Sequence, residues 1–202
     1  MAIDLPPGAF TPGPEHWYWL GGRPALDFVN TLRERWRRCA DCHTTDADVV
    51  EWLVRAELLT AARRTPRGVL AEARALREAI DTAAVALVAR GAPDAAALAH
   101  LAGGLARAAV APRLLTGPDG LPVLDEHRTA GEPRGALGLV ALDAARMLGA
   151  PAERARVRIC ASDTCSARFY DRSPAARRRW CSMAQCGNAA KARRHRARKD
   201  PA

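Results

Sequence analysis

Apolar residues at three- and four-residue spacing predict five helices in the first 150 residues. The predicted helices cover residues 24–32, 45–59, 65–90, 93–107 and 134–148. A proline at position 24 suits a helix start, and Thr45 with Asp48 has the pattern of a capping box. Thr65 followed by Pro66 predicts the beginning of the third helix. Most of the chain is therefore expected to form a helical domain.

One segment departs from the helical pattern. Short apolar stretches flank the turn sequence Gly117-Pro118-Asp119-Gly120, which predicts a β-hairpin over residues 113–124. The proline- and glycine-rich start contains an aromatic cluster at residues 16–20, which we expect to pack on the helices. The predicted fold class is mainly α, with a helical N-terminal domain (1–152) that contains the short hairpin and a small C-terminal module (153–202).

The positive charge of the chain is concentrated near its C-terminal end. The net charge is +9, and residues 151–202 hold 14 of the 31 Lys and Arg residues but four of the 22 Asp and Glu residues. That segment carries +10, and the rest of the chain carries −1. This distribution indicates a module that faces a polyanion, joined to an ordinary globular domain.

The sequence has no apolar run of about 18 residues, so no membrane helix and no membrane partner are expected. Its start, Met1-Ala2-Ile3-Asp4, is acidic and is followed by prolines, which does not match a signal peptide. We therefore expect a cytoplasmic protein whose cysteines stay reduced.

Four cysteines in the basic module form two C-x4-C pairs, separated by fifteen residues: Cys160, Cys165, Cys181 and Cys186. Two close thiolate pairs joined by a loop suit the tetrahedral coordination of one Zn²⁺. The module has few apolar residues, so a structural zinc would contribute much of its folding free energy. Two disulfides or unrelated buried thiols are the alternatives, and a reducing compartment argues against the first. Four thiolate ligands leave no open coordination position, which favours a structural over a catalytic metal.

The other two cysteines lie in Cys39-Ala40-Asp41-Cys42-His43. A C-x2-C-H sequence can bind metal, but a second half-site is missing from the neighbouring sequence. We interpret Cys39 and Cys42 as free or loosely paired cysteines, with a second metal site as the alternative.

The residues after Cys186 favour a basic helix, because they are rich in alanine and arginine and contain no proline before Pro201. Asn188, Lys191, His195 and Arg198 share one face of that helix. Such a helix fits a DNA major groove, where arginines contact phosphates or guanine edges. The candidate nucleic-acid-binding residues are Arg177, Arg178, Arg179, Asn188, Lys191, Arg193, Arg194, His195, Arg196 and Arg198. Nonspecific attraction to DNA or RNA, and a finger for protein interaction or structure alone, are the alternatives.

The second cysteine pair and the residues around it resemble the bacterial CGNR zinc finger family. The similar stretch runs from Arg178-Arg179-Trp180-Cys181 through Cys186-Gly187-Asn188 to Lys191-Ala192-Arg193-Arg194, and Cys160 and Cys165 stand where that family has its first pair. The family motif is Cys-Gly-Asn-Arg, and Ala189 replaces its arginine here. If that arginine contacts DNA in relatives, Ala189 weakens or alters recognition.

The helical domain resembles the ABATE domain that accompanies this finger, at Leu26-Asp27-Phe28-Val29-Asn30-Thr31. The resemblance implies a transcription regulator. Polar side chains on this otherwise apolar helix, those of Asp27, Asn30 and Thr31, are candidates for binding a small-molecule effector. Helix capping and buried hydrogen bonds are the alternative role.

No nucleophile–base pair, phosphate-binding loop or H-E-x-x-H motif occurs in the chain, so an enzyme is not expected. The sequence predicts a zinc-finger protein that binds double-stranded DNA and regulates transcription. An RNA-binding or ribosome-associated zinc protein is the main alternative, followed by a metal-dependent enzyme.

Overall fold

The computed structural model describes residues 17–61, 64–108, 113–125 and 129–199. The α-helices are α1 (Pro24–Val29), α2 (Asp46–Arg55), α3 (Val69–Val88), α4 (Ala95–Leu105), α5 (Pro133–Gly149), α6 (Pro151–Arg154) and α7 (Asn188–Lys199). Antiparallel strands pair as β1 (Leu32–Arg33) with β2 (Ala40–Asp41), β3 (Arg113–Thr116) with β4 (Pro122–Asp125), and β5 (Val157–Ile159) with β6 (Arg168–Tyr170). The predicted mainly α fold, with a short hairpin and a terminal helix after four cysteines, is confirmed.

The core lies where α3, α4 and α5 pack on one another, with α1 and α2 against α3 and α5. Two glycines mark close approaches to α5. A Cβ on Gly104 of α4 would lie 2.8 Å from the Cβ of Ala141 in α5. A Cβ on Gly138 would lie 2.5 Å from the backbone nitrogen of Ala108. The Gly103-Gly104 pair lowers helix propensity, but Gly104 permits tight packing of α4 on α5.

The capping box predicted at the start of α2 is confirmed. The Thr45 hydroxyl accepts a hydrogen bond from the Asp48 backbone N–H, and the Asp48 carboxylate accepts one from the Thr45 backbone N–H. The predicted end of this helix at residue 59 was wrong. The helix ends at Arg55, because Glu57 has a left-handed backbone (φ 58°) and Leu59 pairs with Ala130 as an isolated bridge.

The predicted start of α3 at Thr65-Pro66 was also wrong. The helix begins at Val69, after Gly68 in a left-handed conformation (φ 80°). The carboxylate of Asp46 accepts hydrogen bonds from the backbone N–H groups of Gly68 and Leu70. A side chain from α2 therefore satisfies the donors at the start of α3, and local sequence does not reveal this partner.

Helix α1 is shorter than the predicted 24–32. It ends at Val29, and Leu32 belongs to strand β1, where it pairs with Asp41. The Thr31 hydroxyl donates to the Phe28 carbonyl, which satisfies an acceptor at the end of the helix. The chain then turns, and the apolar residue that continued the helical spacing enters a strand instead.

The aromatic cluster packs on the helices, as expected. Trp17 is buried, and Trp19 stacks on Trp52 with ring centroids 5.5 Å apart. His16 lies outside the described residues. In the part of the chain that the structure describes, no helix is both long enough and apolar enough to cross a membrane.

Candidate metal centre and nucleic-acid interface

The first cysteine pair lies at the tip of the β5–β6 hairpin. Cys160 follows β5 and Cys165 precedes β6, and the Cys160 backbone N–H donates to the Ala167 carbonyl at 2.9 Å. The second pair is brought alongside by the Ala161 N–H, which donates to the Arg179 carbonyl at 2.8 Å. These backbone hydrogen bonds hold both pairs together, and a small apolar cluster around the buried Phe169 packs beside them.

The four sulfur atoms all lie within 4.8 Å of one another. The Sγ atoms of Cys165 and Cys181 are 3.8 Å apart, and those of Cys181 and Cys186 are 3.7 Å apart. A tetrahedron with metal–sulfur bonds of about 2.3 Å has edges of about 3.8 Å, so these side chains fit Zn²⁺. The prediction of one structural zinc held by these cysteines is confirmed.

The last cysteine connects the metal site directly to α7. Cys186 lies in a single turn of π-helix over Met183–Gly187, and Asn188 is the first residue of α7. The Ser182 hydroxyl caps this turn by accepting from the Gln185 N–H. A Cβ on Gly187 would lie 2.7 Å from the Met183 sulfur, so the Met183 side chain packs closely against this glycine. The position of the last zinc ligand therefore sets the position of the basic helix.

The hairpin that carries the first cysteine pair is fixed to the helical domain. Asn30 exchanges two hydrogen bonds with the backbone of Arg168, and the Tyr170 N–H donates to the Gly21 carbonyl at 2.7 Å. The Arg168 guanidinium forms a buried ion pair with Asp81 of α3 at 2.6 Å. Val157 belongs to the main hydrophobic core. The metal centre therefore has a defined orientation relative to α1 and α3.

Sequence reasoning missed the charged side chains that support this junction. Arg35 forms ion pairs with Glu78 at 2.6 Å and with Asp81 at 3.3 Å, and Asp81 also pairs with Arg168. These contacts join residues more than 40 positions apart. Neither helical spacing nor a local motif signals them.

The three candidate effector-binding residues occupy different environments. The Asp27 carboxylate accepts from the Gly21 N–H at 2.7 Å, and burial raises the pKa of Asp27 to about 7. Thr31 is buried and accepts from the Arg77 guanidinium. Asn30 binds the backbone of Arg168 and also lines a cavity between the helical domain and the finger. All three take part in hydrogen bonds within the protein, and their ligand role stays a prediction.

Helix α7 forms over the predicted segment and presents three faces. Ala190 is buried and Arg193 is half-buried, with the Arg193 guanidinium 2.8 Å from the Asp163 carboxylate near the first cysteine pair. Asn188, Ala189 and Ala192 line the cavity. Three exposed cations share the third face, which we call the outer face: Lys191, Arg194 and His195. Arg196 is also exposed, and the side chain of Arg198 lies outside the described part of the structure.

The three arginines before the second cysteine pair are exposed, but they differ in how many contacts they make within the protein. Arg178 donates to the Cys181 carbonyl at 2.7 Å, and its backbone N–H donates to the buried Asp171 carboxylate. Arg179 lies over the Trp180 ring at 5.2 Å. Arg177 makes no hydrogen bond or ion pair through its side chain with the described residues. Arg178 therefore supports the finger itself, and Arg177 is the more available cation.

The two cysteines of the C-x2-C-H sequence stand apart from the metal centre. Cys39 is exposed, with its thiol 3.0 Å from the Arg35 carbonyl, and Cys42 is buried. Neither cysteine forms a disulfide bond with the residues that the structure describes. Among the described residues, the cluster of metal-binding side chains is the one formed by the four finger cysteines.

A cavity of about 650 Å³ separates the finger from the β1 region of the helical domain. The domain contributes Arg33, Arg37 and Arg38 to its wall, and α7 contributes Ala189 and Ala192. Three of the zinc-binding cysteines also border it. The cavity therefore touches both the metal centre and the basic helix.

A helical domain that ends in a four-cysteine metal site and a basic helix defines a zinc-finger protein. Family models match both parts. Residues 22–151 match ABATE, described as “Putative stress-induced transcription regulator”, and residues 156–199 match the CGNR zinc finger. The first match covers more than half of the chain, which therefore belongs to the ABATE family and carries a CGNR zinc finger. A search of the curated proteins found no match.

Proposed function

We propose that this chain is a cytoplasmic transcription regulator that binds double-stranded DNA through its zinc finger. Residues 1–152 would form a domain that senses a small molecule, and residues 153–202 the DNA-binding domain. The observation that carries the proposal is the position of α7, which begins directly after the last metal ligand.

The charge of α7 supports a polyanionic partner. Residues 188–199 contain no acidic residue, and the outer face presents Lys191, Arg194 and His195 to solvent. A helix that is anchored at one end and exposes cations along one face can contact phosphates and enter a major groove. Arg177 and Arg196 are exposed as well and add positive charge to the finger.

Two of the candidate cations serve a different role in this proposal. Arg193 is paired with Asp163, and Arg178 is hydrogen-bonded to the Cys181 carbonyl. Both contacts hold the finger together, so these arginines position α7 instead of supplying its main contacts with DNA. Asn188, at the first position of α7, donates to the Ala184 carbonyl at 3.4 Å.

The sensing role is supported by the junction between the domains. The hydrogen bonds of Asn30 and the Arg168–Asp81 ion pair connect the helical domain to the hairpin that carries two zinc ligands. A ligand that changes the helical domain near these contacts would change the position of the finger. The family description, a regulator of transcription, agrees with such coupling.

Selection from random duplex DNA with zinc-loaded protein at stated salt tests the proposal. One enriched motif is expected, and binding to that duplex should weaken steeply with salt. The double variant Lys191→Ala/Arg194→Ala should reduce the slope of log K against log salt by about two, because two phosphate contacts are lost. The matched control, Arg64→Ala/Arg67→Ala, removes the same charge from exposed positions on the helical domain and should leave the slope unchanged.

Two results would contradict the proposal. Flat enrichment of duplex DNA together with tight binding of RNA would support the RNA-binding alternative. An equal loss of slope in both double variants would show that overall charge, and not the outer face of α7, determines binding.

A further inference from the structure

The cavity between the finger and the helical domain has the size of a small-molecule site. Its volume is about 650 Å³, within the range of roughly 300–1,000 Å³ that ligand pockets occupy. One wall is the segment Leu32–Arg38 of the helical domain, and the opposite wall combines the cysteine loops with α7. Sites between two structural units commonly bind ligands, because a ligand there contacts both.

The absence of a large side chain on α7 keeps this space open. Ala184, Ala189 and Ala192 all line the cavity from the finger side. Position 189 is the fourth residue of the motif that names the CGNR finger, where the family motif has arginine. An arginine at this position would extend its side chain from the cavity wall. Ala189 therefore opens a space in this chain that the family motif would occupy.

The cations on the domain wall define the ligand's charge. Arg33, Arg37 and Arg38 line the cavity, and Glu34 is the carboxylate among its lining residues. Glu34 accepts hydrogen bonds from the Arg38 guanidinium, which lowers the pKa of Glu34. The Arg37 guanidinium makes no hydrogen bond or ion pair with the residues that the structure describes. It is exposed and available to a carboxylate, sulfonate or phosphate group.

The finger wall offers an apolar strip to a ligand, beside the polar side chains of Ser162, Gln185 and Asn188. Its alanines offer methyl surface, and the bordering cysteine sulfurs are polarizable. We propose that this cavity binds a small organic anion whose charged group meets Arg37 and whose apolar part lies against the alanines of α7. The ligand would act as the effector of the regulator proposed above, so its regulatory role rests on that function, whereas its binding does not.

Two related dyes test the charge and the shape of the site in the full-length, zinc-loaded protein. The anionic probe is 1-anilinonaphthalene-8-sulfonate, and its neutral counterpart is N-phenyl-1-naphthylamine. Saturable binding of both is expected, with one site per chain. Arg37→Ala should lower the affinity for the anionic probe about tenfold, which is the effect of losing one charge-assisted hydrogen bond. It should leave the affinity for the neutral probe unchanged.

Ala189→Arg should block both probes, since it restores the family's residue on the cavity wall. The added positive charge alone would strengthen binding of the anion, so a loss would identify occupancy of the cavity. Ala96→Arg adds the same charge at an exposed position of α4 and serves as the control. Zinc content and helical circular dichroism check that each variant folds.

Unchanged binding of both probes to Ala189→Arg would overturn the inference. Displacement of the anionic probe by the selected duplex, with weaker duplex binding by Arg37→Ala, would overturn it too, because the cavity would then belong to the DNA surface. Binding of the selected duplex to Ala189→Arg, measured without probe, tests the proposed function separately. Retained duplex binding with loss of both probes would show that the cavity and the DNA surface are distinct.

Discussion

The side-chain amide of Asn30 forms two hydrogen bonds with the backbone of Arg168, one as donor to its carbonyl and one as acceptor from its N–H, each 2.9 Å long. Asn30 follows α1 and is buried. Its amide therefore satisfies the backbone N–H and carbonyl of Arg168 in β6, as the backbone of a neighbouring strand would. The two residues are 138 positions apart. One side chain thus joins the helical domain to the strand that follows the second zinc ligand.

Asn30→Ala should destabilise the protein by about 2–4 kcal/mol, because it leaves a buried N–H and a buried carbonyl of Arg168 without partners. Urea unfolding monitored by circular dichroism measures this loss. Asn188→Ala is the control, because Asn188 is exposed and its amide donates a weak hydrogen bond, 3.4 Å long, to the Ala184 carbonyl. An equal effect of the two substitutions would contradict the role of Asn30 at the junction.

Removing one zinc ligand should affect the two parts of the finger differently. Cys181→Ser is expected to lower the zinc content from one to zero per chain and to increase amide exchange over 181–199. Strands β5 and β6 should stay protected, because Val157, Asn30 and Asp81 hold them to the helical domain. Mass spectrometry of metal content and hydrogen exchange measure these effects. Cys39→Ser, at an exposed free thiol, should change neither quantity.

The stability of the protein should respond to pH through two groups with opposite signs. Burial raises the pKa of Asp27 to about 7, so the folded protein holds a proton that the unfolded chain has lost, and stability falls as pH rises from about 4 to 7. Burial lowers the pKa of His43 to about 3, so stability falls as pH drops from 6.5 towards 3. Between pH 4.5 and 6.5 the two slopes should nearly cancel.

Asp27→Asn should separate these contributions. The amide can still accept from the Gly21 N–H, and it carries no charge to bury, so the variant should gain up to about 3–4 kcal/mol at pH 8. Its stability should then decrease on acidification below pH 6.5, which exposes the contribution of His43. Thermal unfolding across pH measures both effects. The double variant Asp27→Asn/His43→Phe should be flat in this range, and a slope equal to that of Asp27→Asn would exclude His43 as its source.

Adjacent glycines in α4 provide a matched pair for testing helix packing. Gly104→Ala should destabilise the protein by about 1–3 kcal/mol, because its Cβ would lie 2.8 Å from the Cβ of Ala141. Gly103→Ala has no atom within 4 Å of the new Cβ, so it should stabilise the helix by about 0.5–1 kcal/mol. Opposite signs in chemical unfolding support the close approach of α4 and α5; two changes of the same sign would contradict it.

Local patterns predicted the elements that local chemistry determines. The spacing of the cysteines was sufficient for the metal site, and Thr45 with Asp48 was sufficient for the start of α2. The start of α3 depends on Asp46 from another helix, which sequence spacing cannot indicate. The same holds for Asn30, whose candidate role was ligand binding and whose observed contact is a strand far along the chain. Long-range pairing therefore accounts for the start of α3 and for the contact of Asn30, whereas the early end of α1 comes from a local hydrogen bond of Thr31.

The shared packing of β5 and β6 with α1 and α3 limits how this finger can be transplanted. A chimera that joined residues 153–199 to an unrelated protein domain would lack two partners of Arg168. These are Asn30, which binds its backbone, and Asp81, which pairs with its guanidinium. Val157 would lose the apolar surroundings it shares with the helices. A working graft would therefore carry a copy of this docking surface, so the smallest portable unit is larger than the four cysteines and the helix that follows them.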